Sequence, residues 1–140
     1  MHELTRAEVD ELLRKQVVGR VGCHAEGVTY VVPVIYAYDG DCIHVASIEG
    51  KKVRMMRANP AVCFEVDEYR APGNWRSAIV HGAYEESDEA EAARSLALLA
   101  ERFAGGSGAL RAARRPEASG RATVCFRIRV REATGRAVTT

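Results

Sequence analysis

The sequence predicts a mainly β fold of the α+β kind, a small barrel or sandwich in one domain over residues 1–140. Three observations predict it. Short apolar or alternating runs recur between turn signals, as antiparallel strands do. One long helical pattern enters late in the chain. Strands and helices do not alternate regularly, which argues against a doubly wound parallel sheet.

The elements follow in order. Thr5 suits an N-cap and Glu8 stands at N3, a capping box, with Leu4 and Val9 spaced as a hydrophobic staple. Val9, Leu12 and Leu13 give that helix one apolar face, expected to lie against the outside of the main fold. Residues 17–24 read as a strand ending in a turn at Glu26-Gly27. Residues 28–38 read as one long strand ending at Asp39-Gly40, a strong hairpin signal. Residues 42–47 return. A helix-like segment, 53–58, stops at Asn59-Pro60. Residues 61–67 and 76–85 are strand-like, with Pro72-Gly73 between them. Asp88-Glu89-Ala90-Glu91 opens the late helix, whose stripe is Leu96, Leu99, Ala100 and Phe103. Gly105-Gly106-Ser107-Gly108 should end it, and residues 110–115 could form one more helical turn. Residues 122–132 alternate, with Val124, Phe126, Ile128 and Val130 on one face and Arg127, Arg129 and Arg131 on the other.

Bulk properties narrow the function. Net charge is +1, so no global attraction to nucleic acid or anionic lipid is expected. No apolar run approaches the roughly 20 residues of a membrane span, and the first residues lack a signal-peptide core. A cytoplasmic protein without membrane or nucleic-acid partners is the expectation. Cys23, Cys42, Cys63 and Cys125 form no C-x-x-C pair and read as small hydrophobes in a reducing compartment. His24, His44 and His81 have no metal-ligand spacing, so no metal is expected. His44 and His81 are the histidines placed for work on a substrate. No Ser/His/Asp set is identifiable from residue types alone. The Arg127, Arg129 and Arg131 face reads as solvated or salt-bridged, with an arginine-rich nucleic-acid surface as the minor alternative.

The segment from Ile43 to Val53 carries the strongest chemistry. An apolar strand runs into Ser47, Gly50, Lys51 and Lys52 and then into a helix. A helix start with free N–H groups and two cations is a natural anion site. The same cations, with Arg54 and Arg57, would otherwise be a solvated helix face. The 28–38 strand is the second unusual feature. Tyr30, Val32, Val34, Tyr36 and Tyr38 share one face, and Val31, Pro33, Ile35 and Ala37 the other. Both faces are apolar, so both should be covered, one by the barrel interior and one by a helix, a ligand or a second subunit. Pro33 removes a ladder donor and belongs at an edge or an irregularity.

Several pieces in order resemble a known family: Val18-Gly19-Arg20-Val21-Gly22, Val32-Pro33-Val34, Asp39-Gly40-Asp41, Ser47 with Gly50-Lys51-Lys52, Arg57-Ala58-Asn59-Pro60-Ala61-Val62 and Ser77-Ala78-Ile79-Val80-His81-Gly82. The chain resembles the FMN-binding split-barrel proteins related to pyridoxamine 5′-phosphate oxidase, in the branch that includes nitroimidazole-resistance proteins. The resemblance implies a six-stranded Greek-key split barrel that forms a homodimer with FMN at the subunit interface. It implies backbone near Val32, Val34 and Ile35 along the isoalloxazine ring. Ala46 and Ser47 would meet ribityl or ring polar atoms, and Lys51 and Lys52 the phosphate. Asn74, Trp75 and Ser77 would approach from the partner subunit.

The implied function is a flavin-dependent oxidoreductase acting on a small molecule. The alternative is a non-enzymatic module that binds a flavin, a deazaflavin or haem. Pyridoxamine phosphate oxidase activity itself is not expected, because the chain ends soon after Arg136 and has no second Trp. Some nitroimidazole-resistance relatives carry a His where this chain has Val45, with His44 on the other face. No catalytic residue is assigned.

Overall fold

The computed structural model describes residues 1–103 and 122–139. In order the elements are β1 (His2–Glu3), α1 (Arg6–Lys15), β2 (Val18–Ala25), β3 (Val28–Ile35), β4 (Ala37–Tyr38), β5 (Cys42–Ile48), α2 (Lys51–Ala58), β6 (Ala61–Ala71), β7 (Asn74–Glu86), α3 (Glu89–Arg102) and β8 (Thr123–Thr139). The glycine-rich stop after α3 and the turn at residues 110–115 lie outside the described residues. One antiparallel sheet runs β3-β2-β6-β7-β8-β5-β4, with β1 beside β8. Six strands have seven or more residues. These are the six of a split barrel, and β1 and β4 add two residues each.

The single strand expected over residues 28–38 is in fact two. β3 pairs with β2, and β4 pairs with β5. They occupy opposite ends of the sheet order, yet only Tyr36 separates them in the chain. The sheet must therefore curl until its two ends meet at Tyr36. Tertiary contacts hold that joint. The Tyr36 hydroxyl donates to the Leu13 carbonyl at 2.6 Å, and its N–H donates to the Val17 carbonyl. Its ring meets Phe64 edge-on with centroids 4.8 Å apart. Periodicity does not report such a break, because the side-chain alternation passes through it unchanged.

Local signals set the other elements. The Thr5–Glu8 capping box forms and starts α1. Val9, Leu12 and Leu13 are buried in the main core, so α1 is part of that core as well as its outer cover. Tyr38 Oη donates to Asp10 at 2.7 Å and fixes the helix to β4. Glu26 and Gly27 both have positive φ, 52° and 78°, as the tight hairpin between β2 and β3 requires. Asp39 Oδ1 accepts the N–H groups of Asp41 and Cys42, which closes the hairpin from β4 to β5.

Asp88 and Glu91 form a second capping box at α3. That helix covers the outer face of β5 and β8, which is why Cys42 and His44 are buried along with Ile43 and Val45. Of its expected stripe, Leu99 is buried, and Ser95 takes the second buried place. β8 runs further than residue 132. A register shift against β7 leaves Arg131 out of the ladder opposite Gly82, where an added Cβ would strike the Arg129 carbonyl. Pro33 lies on β3, an edge strand, as its missing donor demands. Among the described residues, no helix is long and apolar enough to cross a membrane.

Tyr36→Phe keeps the ring against Phe64 but leaves the buried Leu13 carbonyl without its donor. It should cost about 1–3 kcal/mol in urea unfolding with an unchanged m-value.

Candidate functional site: an open seam ending in two lysines

The curled sheet does not close along its whole length. β4 holds β5 through two pairs, Ala37 with His44 and Tyr38 with Ile43. Continued into β3, that register would set Ile35 opposite Ala46 and Val34 opposite Ser47. No ladder forms there, although β3 and β5 touch. β3 is paired only with β2, and β5 beyond His44 only with β8. Two strand edges with free backbone groups thus face each other across a seam. Val32 and Val34 pack on the core and line it with apolar surface, while Ile35, Ala46 and Ser47 are half-buried.

The other end of the seam is basic. Lys51, the first residue of α2, holds its Nζ 4.7 Å from the centre of the Tyr30 ring on β3. From Ile35 to Tyr30 the edge spans roughly 17 Å at the usual rise per strand residue. Gly50 caps α2 with no side chain, so the first N–H groups of the helix lack a side-chain acceptor.

The four cations of this segment have different fates. Arg57 is tied to Glu49 and Glu86 at 2.8 and 2.7 Å. Among the described residues, Lys51, Lys52 and Arg54 have no carboxylate partner. Burial pushes the Lys52 ammonium below its ordinary pKa, opposed by nearby Cys23. A half-buried lysine without a counter-ion is costly unless an anion reaches it.

The structure brings Val32, Val34, Ile35, Ala46, Ser47, Lys51 and Lys52 to this seam. It does not bring Asn74, Trp75 and Ser77 there. Asn74 and Trp75 line a separate hollow of about 180 Å³ with Glu68, Arg70 and Thr139. Trp75 and Ser77 instead share the outer sheet face with Ile79 and His81.

That outer face is unusually bare. Val18 (42% exposed), Val31 (65%), Ile79 (44%) and Tyr69 (64%) all stand on it. Among the described residues, the expected cover of β3 on both sides is therefore supplied on one side only. A hollow of about 490 Å³ on the same face is lined by His24, Val31, Cys63 and His81 among others. Elsewhere on that face Arg20 reaches Glu65 at 3.5 Å and Asp67 at 3.2 Å. Burial, with the hydrogen bond and charge of Asp67, pushes the Glu65 carboxyl up to about 7 against the pull of Arg20.

Sequence reasoning missed one constellation. His44 Nε2 lies 2.7 Å from Asp39 Oδ2, and its Nδ1 lies 2.8 Å from Ser95 Oγ. Burial works against the Asp39 charge, but the ring and two backbone N–H groups hold its carboxyl below the usual range. The three residue types mimic a nucleophilic triad, but Ser95 is only 1% exposed, beneath α3. A buried hydroxyl attacks nothing, so the set fastens α3 to the β4–β5 hairpin. His44 is thereby a structural residue and not a substrate-side one. Long-range proximity of residues 39, 44 and 95 left no signal in spacing. Arg127 and Arg129 are paired with Glu85, and Arg127 also with Glu91, which removes most of the basic stripe on β8. The described residues hold no group of His, Cys, Asp and Glu fit for a metal, and Cys23, Cys42, Cys63 and Cys125 are free.

Known proteins share this fold. The family model described as pyridoxamine 5′-phosphate oxidase matches residues 5–137. An uncharacterized protein of Rhizobium meliloti (strain 1021) is 30% identical over 83 residues, 59% of this chain and 55% of that protein. The match thus spans about half of that curated relative. The crystal structure of a FAD-binding protein from Mesorhizobium loti is 31% identical, with a TM-score of 0.76 over 99% of this chain and 98% of its own. A Bacteroides thetaiotaomicron structure assigned to 5-nitroimidazole antibiotic resistance is 21% identical, with a TM-score of 0.73 over 96% and 86%. That second likeness concerns the fold.

The Glu65 carboxyl carries a pH signature. Its folded pKa lies above the unfolded value, so between about pH 4.5 and 7 the folded state binds more protons. Stability should therefore fall as pH rises through that window and level off above it. Glu65→Gln should flatten this part of the profile in urea titrations at pH 4.5, 6 and 8.

Proposed function

Because the chain belongs to the pyridoxamine 5′-phosphate oxidase family, we propose that it is a homodimeric flavoprotein that holds the FMN part of a flavin along the β3–β5 seam. One observation carries the reading. Two lysines with no carboxylate partner among the described residues, one of them half-buried, stand at a helix start where an unpaired strand edge ends. Lys51 and Lys52 would hold the phosphate as point charges, with the N–H groups of α2. Ser47 and the backbone of Ala46 would bond the ribityl chain. The edge at Val32, Val34 and Ile35 would offer the ring an apolar wall and free backbone groups, the mixture that orients a flat ligand. The flavin-binding description of the Mesorhizobium loti relative supports the cofactor class.

The bare outer face supports a second copy of the chain as its cover. Val18, Val31, Ile79 and Tyr69 would be buried there, and Trp75 and Ser77 on the same face, with neighbouring Asn74, would reach the partner's flavin. The flavin, once bound, supplies hydride or single-electron transfer, so the protein reads as an oxidoreductase. Its substrate would be a small molecule other than pyridoxamine phosphate. The unpaired cysteines support a reducing, cytoplasmic setting. Val32, Val34, Ile35, Ala46 and Ser47, the described residues along the seam, include no carboxylate or histidine. That favours, as a second reading, a flavin carrier or sensor. Saturable reduction by NADH or NADPH supports the enzyme, and its absence the carrier.

Replacing Lys51 and Lys52 together by Ala should weaken FMN by about 100-fold while riboflavin changes little, as read by flavin fluorescence. Equal loss of both ligands would remove the phosphate assignment.

Val31→Glu places a charge on the bare face. It should shift the protein from dimer to monomer in sedimentation velocity and lower flavin affinity at least about tenfold. A wild-type protein that sediments as a monomer would overturn the dimer.

A further inference from the structure

The bare outer face of the sheet is not apolar throughout. Arg20, Glu65 and Ile79 are direct cross-strand partners on β2, β6 and β7, so they form one row across it. Asp67 follows Glu65 on the same face. One guanidinium thus serves two carboxylates, at 3.5 and 3.2 Å. With both acids ionised the cluster keeps a net negative charge. One proton on Glu65 makes it neutral.

Among the described residues, no other charge beside Glu65 settles that balance. Pro33 stands opposite Arg20, and Cys63 precedes Glu65 on the same face of β6. The diagonal neighbours on β7 are Ser77 and His81. His81 faces Glu132 on β8. Arg136 stands opposite Ser77, roughly 10 Å from Asp67 at the usual strand spacing, and itself faces Glu3 on β1.

A second copy of the chain is the occupant that this pattern fits. A twofold interface pairs a patch with itself, so it needs opposite charges side by side. Arg20 and the two acids lie on adjacent strands, and a twofold axis between them would set each guanidinium against the carboxylates of the other copy. Val18, Ile79 and Val31, between 42% and 65% exposed, give apolar surface on the same face. Enclosure then decides the charge state. An uncompensated charge is costly to bury, and more so where the same cluster meets its own copy. Glu65 is the acid poised to lose it. Burial, with the hydrogen bond and charge of Asp67, holds its carboxyl up at about 7 in the single chain, against the pull of Arg20.

We propose that this face closes on a second copy with Glu65 protonated, so that the dimer, and the flavin site it completes, opens as the solution turns alkaline. The proposal rests on the dimer reading above. Enclosure raises a carboxyl pKa further, so the dimer holds more protons than two separate chains. Association therefore takes up protons and weakens as pH rises.

Fluorescence-detected sedimentation of the labelled full-length protein, from nanomolar concentrations upward, at about pH 6 and about pH 8.5 tests it. The dimer Kd should rise at least about tenfold between the two. Glu65→Gln keeps the shape without the titration. Its Kd should stay within about twofold across that range, near the wild-type value at the lower pH. Asp67→Asn removes the like charge and should move the wild-type midpoint to lower pH. A wild-type Kd equal at both pH values, or a dimer that persists at nanomolar concentration at both, overturns the proposal and leaves the dimer reading intact. So does a Glu65→Gln protein that keeps the full pH dependence, which would place the titration on His24 or His81. A wild-type monomer at every pH overturns the dimer reading as well.

Discussion

Tyr36 joins the strands at the two ends of the sheet order, and that covalent constraint governs the rest of the structure. With one residue between β3 and β4, a seven-strand path cannot lie open; it must curl until its ends meet. The buried hydroxyl bond to Leu13 then ties the joint to the last turn of α1. The ring against Phe64 ties it to β6. Helix plug, barrel interior and strand crossing are thus secured at a single point.

The same joint explains the seam. β4 and β5 stay paired for two residues, and the register beyond them would pair Val34 and Ile35 with Ser47 and Ala46. Those pairs do not form, because β3 follows β2 away from β5. Free edges normally invite another strand. Here they border a groove whose far end is basic, and one of its cations is half-buried at an energetic cost. In the proposed reading the split is the functional part of the barrel: the hydrogen bonds that the sheet forgoes are the ones it would offer to a ligand.

Buried polar groups divide into two kinds. Asp39, His44 and Ser95 satisfy one another and fasten α3, so they are spent on the fold. Lys51, Lys52 and Arg54 stand at the basic end of the seam with no carboxylate partner among the described residues. The first set looks more like an active site in residue type, but its serine is sealed. Satisfaction and access separate the two sets better than residue identity does.

The sequence alone determined what is local. The Thr5–Glu8 capping box, the acidic start of α3, and the Glu26-Gly27 and Asp39-Gly40 turns are legible because each rests on contacts within a few residues. Its alternation also marked β3 as apolar on both faces. Tertiary structure decided the rest. The break at Tyr36 depends on Leu13 and Phe64, and the role of His44 on Asp39 and Ser95. Which cations are paired among the described residues depends on Glu49 and Glu86, which take Arg57 and not Lys51, Lys52 or Arg54. Each of these is a contact between distant residues, and linear spacing carries no record of which distant groups meet once the sheet curls.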